Sequence, residues 1–194
     1  MAHDDNPENI LNPQSNWNEM WFYQKTVVLY HLTCNFTSRF LPSHGDRTVD
    51  QMIQAARSGK QNIVEGMTDG VTSTETEIKL LNVARGSIQE LKEDYEDFLI
   101  RNKLSLWNNQ HPKYNAMLDY CRGHNLLEDY SPYFMRWSPE VMANVAITLS
   151  HMVDKMMLSH LKKLEEKFVK NGGIREKMMK ARLDYRNKQN KLKN

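Results

Sequence analysis

Cysteine, long apolar runs and alternating strand patterns are what this sequence has least of. Cys34 and Cys121 are its two cysteines in 194 residues, too few for a disulfide framework and in keeping with a reducing compartment. No apolar run approaches the roughly 18–20 residues that cross a bilayer as a helix. The opening stretch, MAHDDNPENILNPQ, is polar and acidic and lacks the apolar segment of a secretory signal. These absences imply a cytoplasmic, soluble protein with no membrane insertion. No stretch alternates apolar and polar residues at a period of two, so strands are not expected.

A strong charge of one sign is also missing. The formal net charge is +2, so the total names no partner, but its distribution says more. From Asn171 onward there are eight Lys or Arg against two acids, whereas residues 1–170 hold 18 basic and 22 acidic residues. The chain reads as one mildly acidic domain, large enough to bury a core without staples, followed by a basic appendage.

What is present is helical periodicity. Residues 1–16, with Pro7 and Pro13, read as a flexible N-terminal arm. A first helix is predicted from about Trp17 to Leu41, with Met20, Tyr23, Val27, Tyr30 and Cys34 on its inner stripe. Pro42 and Gly45 break it. A second follows from about Thr48 to Glu65, with Val49, Met52, Ala56, Gly59 and Ile63 inward. Thr74 and Glu77 form an expected capping box for a third, seamed by Leu81, Ala84, Ile88, Leu91, Tyr95 and Phe98. Residues 104–138 are irregular and aromatic, with a short helix expected near 113–122, packed on the body. Ser138, Pro139 and Glu140 then start a fourth helix, with Met142, Val145, Leu149, Met152 and Met156 inward, ended by Asn171–Gly173. The expected architecture is all-α: an antiparallel up-down four-helix bundle over 17–170, an insertion at about 104–138, and a basic helical extension over 171–194.

One short signal pulls the other way. In QAARSGKQNIVEG (Gln54–Gly66), Ser58, Gly59 and Lys60 look like the end of a phosphate-binding loop. Such a loop needs a further Gly where Gln54 stands and a Ser or Thr where Gln61 stands, after a strand. Gly59 is better read as a close helix contact, at a propensity cost of about 1 kcal/mol.

Three segments carry a resemblance: DQMIQAARSGKQNIVEG, STETEIKLLNVARGSIQELKEDYEDFL and LEEKFVKNGGIREKMMKAR. They resemble the bacterial four-helix-bundle family of the 23S rRNA intervening-sequence proteins. The match runs through a small-residue helix ending in Asn62, Ile63, Val64, Glu65 and Gly66, then through Ala84, Gly86, Ser87, Glu90 and Leu91. The long insertion and the Gly-Gly-Ile-Arg-Glu ending are similar to the subgroup called four helix bundle suffix proteins. The resemblance spans roughly Trp17 to Arg186. It implies a ring-like homo-oligomer, typically a homopentamer, and no agreed catalytic mechanism or cofactor. A related branch, the accessory variability proteins of diversity-generating retroelements, binds nucleic acid and a reverse transcriptase through basic surfaces. In the present chain any such surface falls mainly to the tail.

The tail places Arg175, Lys177, Lys180, Arg182, Arg186, Lys188, Lys191 and Lys193 where they could track an RNA or DNA backbone, each neutralised phosphate releasing counterions. Five such tails on one ring would multiply avidity. Other readings of the tail are a solvated helix end, an anionic-membrane contact, or docking of its thin apolar stripe (Ile174, Met178, Ala181, Tyr185, Leu192) on a neighbouring subunit. Asn62, Glu65 and Gly66 read as a structural motif, the two polar side chains bonding the EGMTDG turn and Gly66 supplying a positive-φ stop. His31 with Cys34 and Cys121 with His124 have chelating spacing, so a zinc site stands as a weaker alternative. A buried Cys34 and ordinary histidines explain the same residues. The methionines at 152, 156, 157, 178 and 179 read as core, and the aromatics between Trp107 and Trp137 as packing rather than base stacking. No catalytic constellation is present, nor a Glu-x-x-His pattern of di-iron bundles. The expected function is a non-enzymatic homo-oligomer binding nucleic acid or a nucleoprotein partner through its tails. A protein-interaction scaffold, with the tail serving assembly, is the alternative.

Overall fold

The structure, a computed structural model, describes residues 11–12, 16–42 and 47–192. Among them the fold is all-helical and no strand occurs. The helices are α1 (Trp21–Phe40), α2 (Arg47–Asp69), α3 (Thr74–Arg101), α4 (Tyr114–Gly123), α5 (Leu127–Tyr130), α6 (Pro139–Asn171) and α7 (Ile174–Leu192). Single 3-10 turns stand at Trp17–Glu19 and Ser131–Tyr133. Most of the expected N-terminal arm lies outside the described residues. Asn12 within it is tied down, its Nδ2 donating to Gly70 O at 2.7 Å and to Thr74 Oγ1 at 3.2 Å.

Local chemistry explains the helix ends. Ser138 Oγ accepts from the Val141 N–H at 3.3 Å, and Pro139 takes the first helical position, where its missing N–H is no loss. α6 stops at Gly172, whose φ of 70° is a conformation glycine adopts without strain. Two other ends differ from the sequence reading. Ser73, not Thr74, caps α3 by accepting from the Thr76 N–H at 3.2 Å. Glu77 therefore closes no capping box; it is buried, with Oε1 3.6 Å from His160 Nε2. Gly66 is no positive-φ stop either, because α2 runs on to Asp69 and only Gly172 among the described glycines has positive φ.

α1 packs against α2 and α6, and α3 packs against the same two helices. The α2–α3 seam is built from small residues. A Cβ on Gly59 would stand 2.7 Å from Ile88 Cδ1, and one on Gly66 would stand 3.1 Å from Leu80 Cβ. Both glycines thus serve close helix approach, which corrects the role expected of Gly66. Between α3 and α6, Arg85 Nε meets Asp154 Oδ1 at 2.8 Å. Between α1 and α3, Thr33 Oγ1 and Tyr95 OH lie 2.9 Å apart, and Phe36 stacks edge-on with Tyr95 and Phe98.

The seam expected for α3 is buried throughout, from Leu81 to Phe98, and Met52, Ala56, Gly59 and Ile63 are buried on α2. The inner face of α1 is a different one. Phe22, Leu29, Leu32 and Phe36 are buried, whereas Tyr23, Val27, Tyr30 and Cys34 are half-buried. On α6, Val153 and Met157 occupy the core in place of Met152 and Met156, which are half-buried.

Residues 104–138 leave the body, form α4 and α5, and return. Three of their aromatics, Trp107, Tyr130 and Phe134, are core residues, while Tyr114, Tyr120 and Trp137 are half-buried and Tyr133 is exposed. Three side chains of the body hold this excursion by its main chain. Asn144 on α6 accepts from the Trp107 N–H at 2.7 Å and donates to Ser105 O at 2.9 Å. Lys25 on α1 donates to Cys121 O and, at 2.7 Å, to His124 O. Arg39, near the end of α1, donates to Phe134 O and, at 3.3 Å, to Trp137 O.

Candidate functional site

α7 is the first candidate. Its residues Ile174–Leu192 carry seven Lys or Arg against Glu176 and Asp184, and none of its described residues is buried. Arg175, Lys180, Arg182, Arg186, Lys188 and Lys191 are exposed. Lys177 is half-buried and donates to Asn12 Oδ1 at 3.1 Å, so the first turn of α7 is fixed to the body. Lys193 lies outside the described residues. Met178, Met179, Leu183 and Tyr185 are also exposed, between 46% and 66%. The two terminal methionines are therefore surface residues of α7, not core as expected.

The other residues singled out in the sequence are structural. Asn62 Nδ2 donates back to Ser58 O at 2.9 Å, one turn earlier on α2. Glu65 Oε1 accepts from Gln61 Nε2 at 3.3 Å. The expected bonds of both side chains to the turn after α2 are therefore replaced by contacts within α2 itself. Lys60 lays its ammonium 4.5 Å over the Tyr30 ring, a cation–π contact.

The two His/Cys pairs are also held apart. Cys121 and His124 lie against Lys25, about two and a half turns of α1 from Cys34. The His124 ring stacks on Tyr120 at 4.1 Å, and His31 is exposed beside Tyr30. Among the described residues no three His, Cys, Asp or Glu side chains gather to hold a metal ion. Burial pushes the Cys121 thiol up to about 11, which withholds the thiolate that attacks or ligates. Tyr95 and Tyr130 are likewise raised by burial.

A second candidate, not read from the sequence, is a cleft of about 780 Å³ on the outer face of α6. It is assembled from α1, α3, the excursion and α6, so no linear motif announces it. Its apolar lining includes Trp21, Leu118 and Met152, with the Trp21 indole 64% exposed. Lys92, Arg122 and Lys155 bring cationic heads. Lys92 pairs with Glu96 at 3.1 Å and Arg122 with Asp119 at 3.3 Å. Lys155 has no carboxylate partner among the described residues. Lys25 also lines the cleft, but both its recorded bonds go to main-chain carbonyls. Removal of its charge from water lowers its pKa.

The opposite sign collects on α3. Asp94 is raised first by burial and then by Asp97 and Glu90, the mark of a crowded acidic face. The molecule therefore separates its charge, with acid along the outer side of α3 and base on α7. Comparison with protein-family models, curated proteins and solved structures finds no match.

Proposed function

We propose that this chain is a non-enzymatic, homo-oligomeric helical protein that binds nucleic acid or a nucleoprotein partner through α7. The observation that carries the reading is α7 itself: a 19-residue helix with seven cations, offered to solvent and anchored at its first turn. Beyond that first turn α7 is stabilised little by packing, and most helical stability in proteins comes from packing, so a surface that completes it would add stability. A polyanion supplies both compensation for seven like charges and entropy from released counterions. Residues 1–170 carry 18 basic against 22 acidic residues, so the chain's excess of cations lies in the tail.

Family membership belongs to the same proposal. We read the chain as a 23S rRNA intervening-sequence family protein of the four helix bundle suffix subgroup, an up-down four-helix bundle built of α1, α2, α3 and α6 that assembles into a pentamer. Paired positions support the up-down order. Rising numbers on α2 meet falling numbers on α3, as in Gly59 with Ile88 and Gly66 with Leu80. Arg85 with Asp154 and Glu77 with His160 do the same for α3 and α6.

The test is a salt-dependent titration of labelled RNA and duplex DNA with the full chain and with residues 1–170, light scattering being run on both. Binding with a steep salt slope that disappears on truncation, while the oligomer persists, supports the reading. A truncation that disperses the oligomer, with no nucleic-acid binding at physiological salt by either form, replaces it with the scaffold reading. The exposed Met178, Met179, Leu183 and Tyr185 favour that second reading, since they suit a protein surface.

A further inference from the structure

We infer that the cleft on the outer face of α6 is a base-stacking site for single-stranded nucleic acid, continuous with α7 through a row of lysines. The inference rests on the nucleic-acid reading of α7 and says where the strand goes. Three observations converge on it.

The first is the ring. Trp21 begins α1, lines the cleft and leaves 64% of its surface to solvent. An indole in that position gains free energy from any apolar cover and stacks best on a planar one; unpaired bases offer such faces whereas a duplex hides them. Tyr114 from α4 lines the same cleft. The cleft is open to solvent, and its volume of about 780 Å³ leaves room for a group of nucleotide size.

The second is the charge beside the ring. Lys155 stands at the cleft without a carboxylate partner among the described residues, and Arg122 is engaged only with the exposed Asp119. Either could pair with a phosphate of a strand lying in the cleft. Glu96 is the acid in the lining, and Lys92 neutralises it at 3.1 Å.

The third is the path out of the cleft. Lys155, Lys162, Lys163 and Lys170 are all exposed on α6. At 3.6 residues per turn they fall within a sector of about 100°, over about 22 Å of helix. Glu166 is the acid inside that sector. The row ends two residues before Gly172, beyond which α7 begins its own seven cations. A backbone followed from Trp21 along this row therefore meets lysine heads about every two helical turns before it arrives at α7. Alternation of stacking rings and tracking cations is how proteins hold single strands without reading sequence.

The experiment is photocrosslinking of the full-length protein to an oligonucleotide of about 12 residues carrying 5-bromouracil, in RNA and DNA arms, with the adducts mapped by mass spectrometry. Adducts at Trp21 or Tyr114 together with α7 are expected. In parallel, Trp21→Leu is expected to weaken single-strand affinity about tenfold, as loss of one base–aromatic stack does, while leaving duplex affinity unchanged. Lys155→Ala is expected to reduce the salt slope by about 0.7 on single strands. Adducts confined to α7, such as at Tyr185, with Trp21→Leu binding like the parent, would overturn the cleft and leave the α7 reading standing. Absence of binding in every arm overturns both. Equal weakening of duplex and single strand by Trp21→Leu also overturns the stacking site.

Discussion

Lys25→Met removes the charge that holds the middle of the excursion and leaves a side chain of similar length. In the parent, the ammonium of Lys25, a residue 2% exposed, donates to Cys121 O and His124 O, the carbonyls at the C-terminal end of α4. Tyr130 OH also donates to His124 O at 2.9 Å, so the substitution orphans chiefly Cys121 O. A buried group left without its partner costs about 1–3 kcal/mol, and bonds to a charged donor are worth about 1.5–3 kcal/mol each. The desolvation that lowers the Lys25 pKa works against these gains. The net expectation is a loss of about 2–3 kcal/mol, a fall of roughly 1 M in urea midpoint at the usual slopes. The pH dependence has a definite sign. A lysine whose folded pKa is lowered binds its proton more tightly in the unfolded chain, so its desolvation penalty is complete below the folded pKa. That penalty is relieved as pH rises from the folded pKa toward the ordinary 10.5. The stability gap between parent and Lys25→Met should widen over that window. Urea melts across pH, with hydrogen exchange of residues 107–137, measure both effects. An unchanged midpoint, or a gap that narrows with rising pH, would refute the reasoning.

Two glycines predict opposite outcomes for one substitution. Gly59→Ala should destabilise by about 1 kcal/mol, because its Cβ would press on the buried Ile88 and overpacking outweighs the propensity gain. Gly86→Ala meets nothing within 4 Å and should stabilise by about 1 kcal/mol; thermal melts showing the same sign for both would sink the seam argument. Asp94 has its pKa raised by burial and by neighbouring acids, so its charge opposes folding at neutral pH. That cost is relieved as pH falls through its folded pKa toward 3.8. Asp94→Asn should therefore stabilise at pH 7 by about 0.5 kcal/mol, the surface repulsion being screened. The benefit should vanish below the unfolded value, and a benefit independent of pH would contradict this. Ending the chain after Asn171 should change body stability by no more than about 0.5 kcal/mol, since no described residue of α7 is buried; a larger loss in calorimetry would mean that α7 is part of the body.

The sequence made some elements easy to read and others misleading, for physical reasons. α3 was legible because one face meets two partners and the other meets water, so its seam is its only apolar stripe. α1 was not. It is covered by α2 and α6 and also by α5, so apolar residues occur all round it and two stripes compete. The buried stripe contains Lys25, Thr26, Thr33 and Thr37, polar residues that lower its apparent apolarity; Thr26 and Thr37 bond back to Tyr23 O and Cys34 O on α1 itself, whereas Lys25 and Thr33 find partners only in three dimensions. The cap of α3 was displaced by one residue because Ser73 and Thr74 are equally good acceptors in sequence. The basic tail was visible as composition. The cleft was not, because Trp21, Lys92, Arg122 and Lys155 come from four helices.

Asn144, Lys25 and Arg39 grip the excursion at six atoms, and every one is a main-chain N–H or carbonyl. Such a grip is indifferent to which side chains the gripped segment displays. Replacements on its outward positions that preserve the path of the backbone leave all three clamps engaged. The body thus works as a holder with an exchangeable face: while Trp107, Tyr130 and Phe134 stay buried and the Trp107 indole keeps its bond to Glu140, new surface chemistry can be written on the exposed positions of residues 104–138 without renegotiating the attachment.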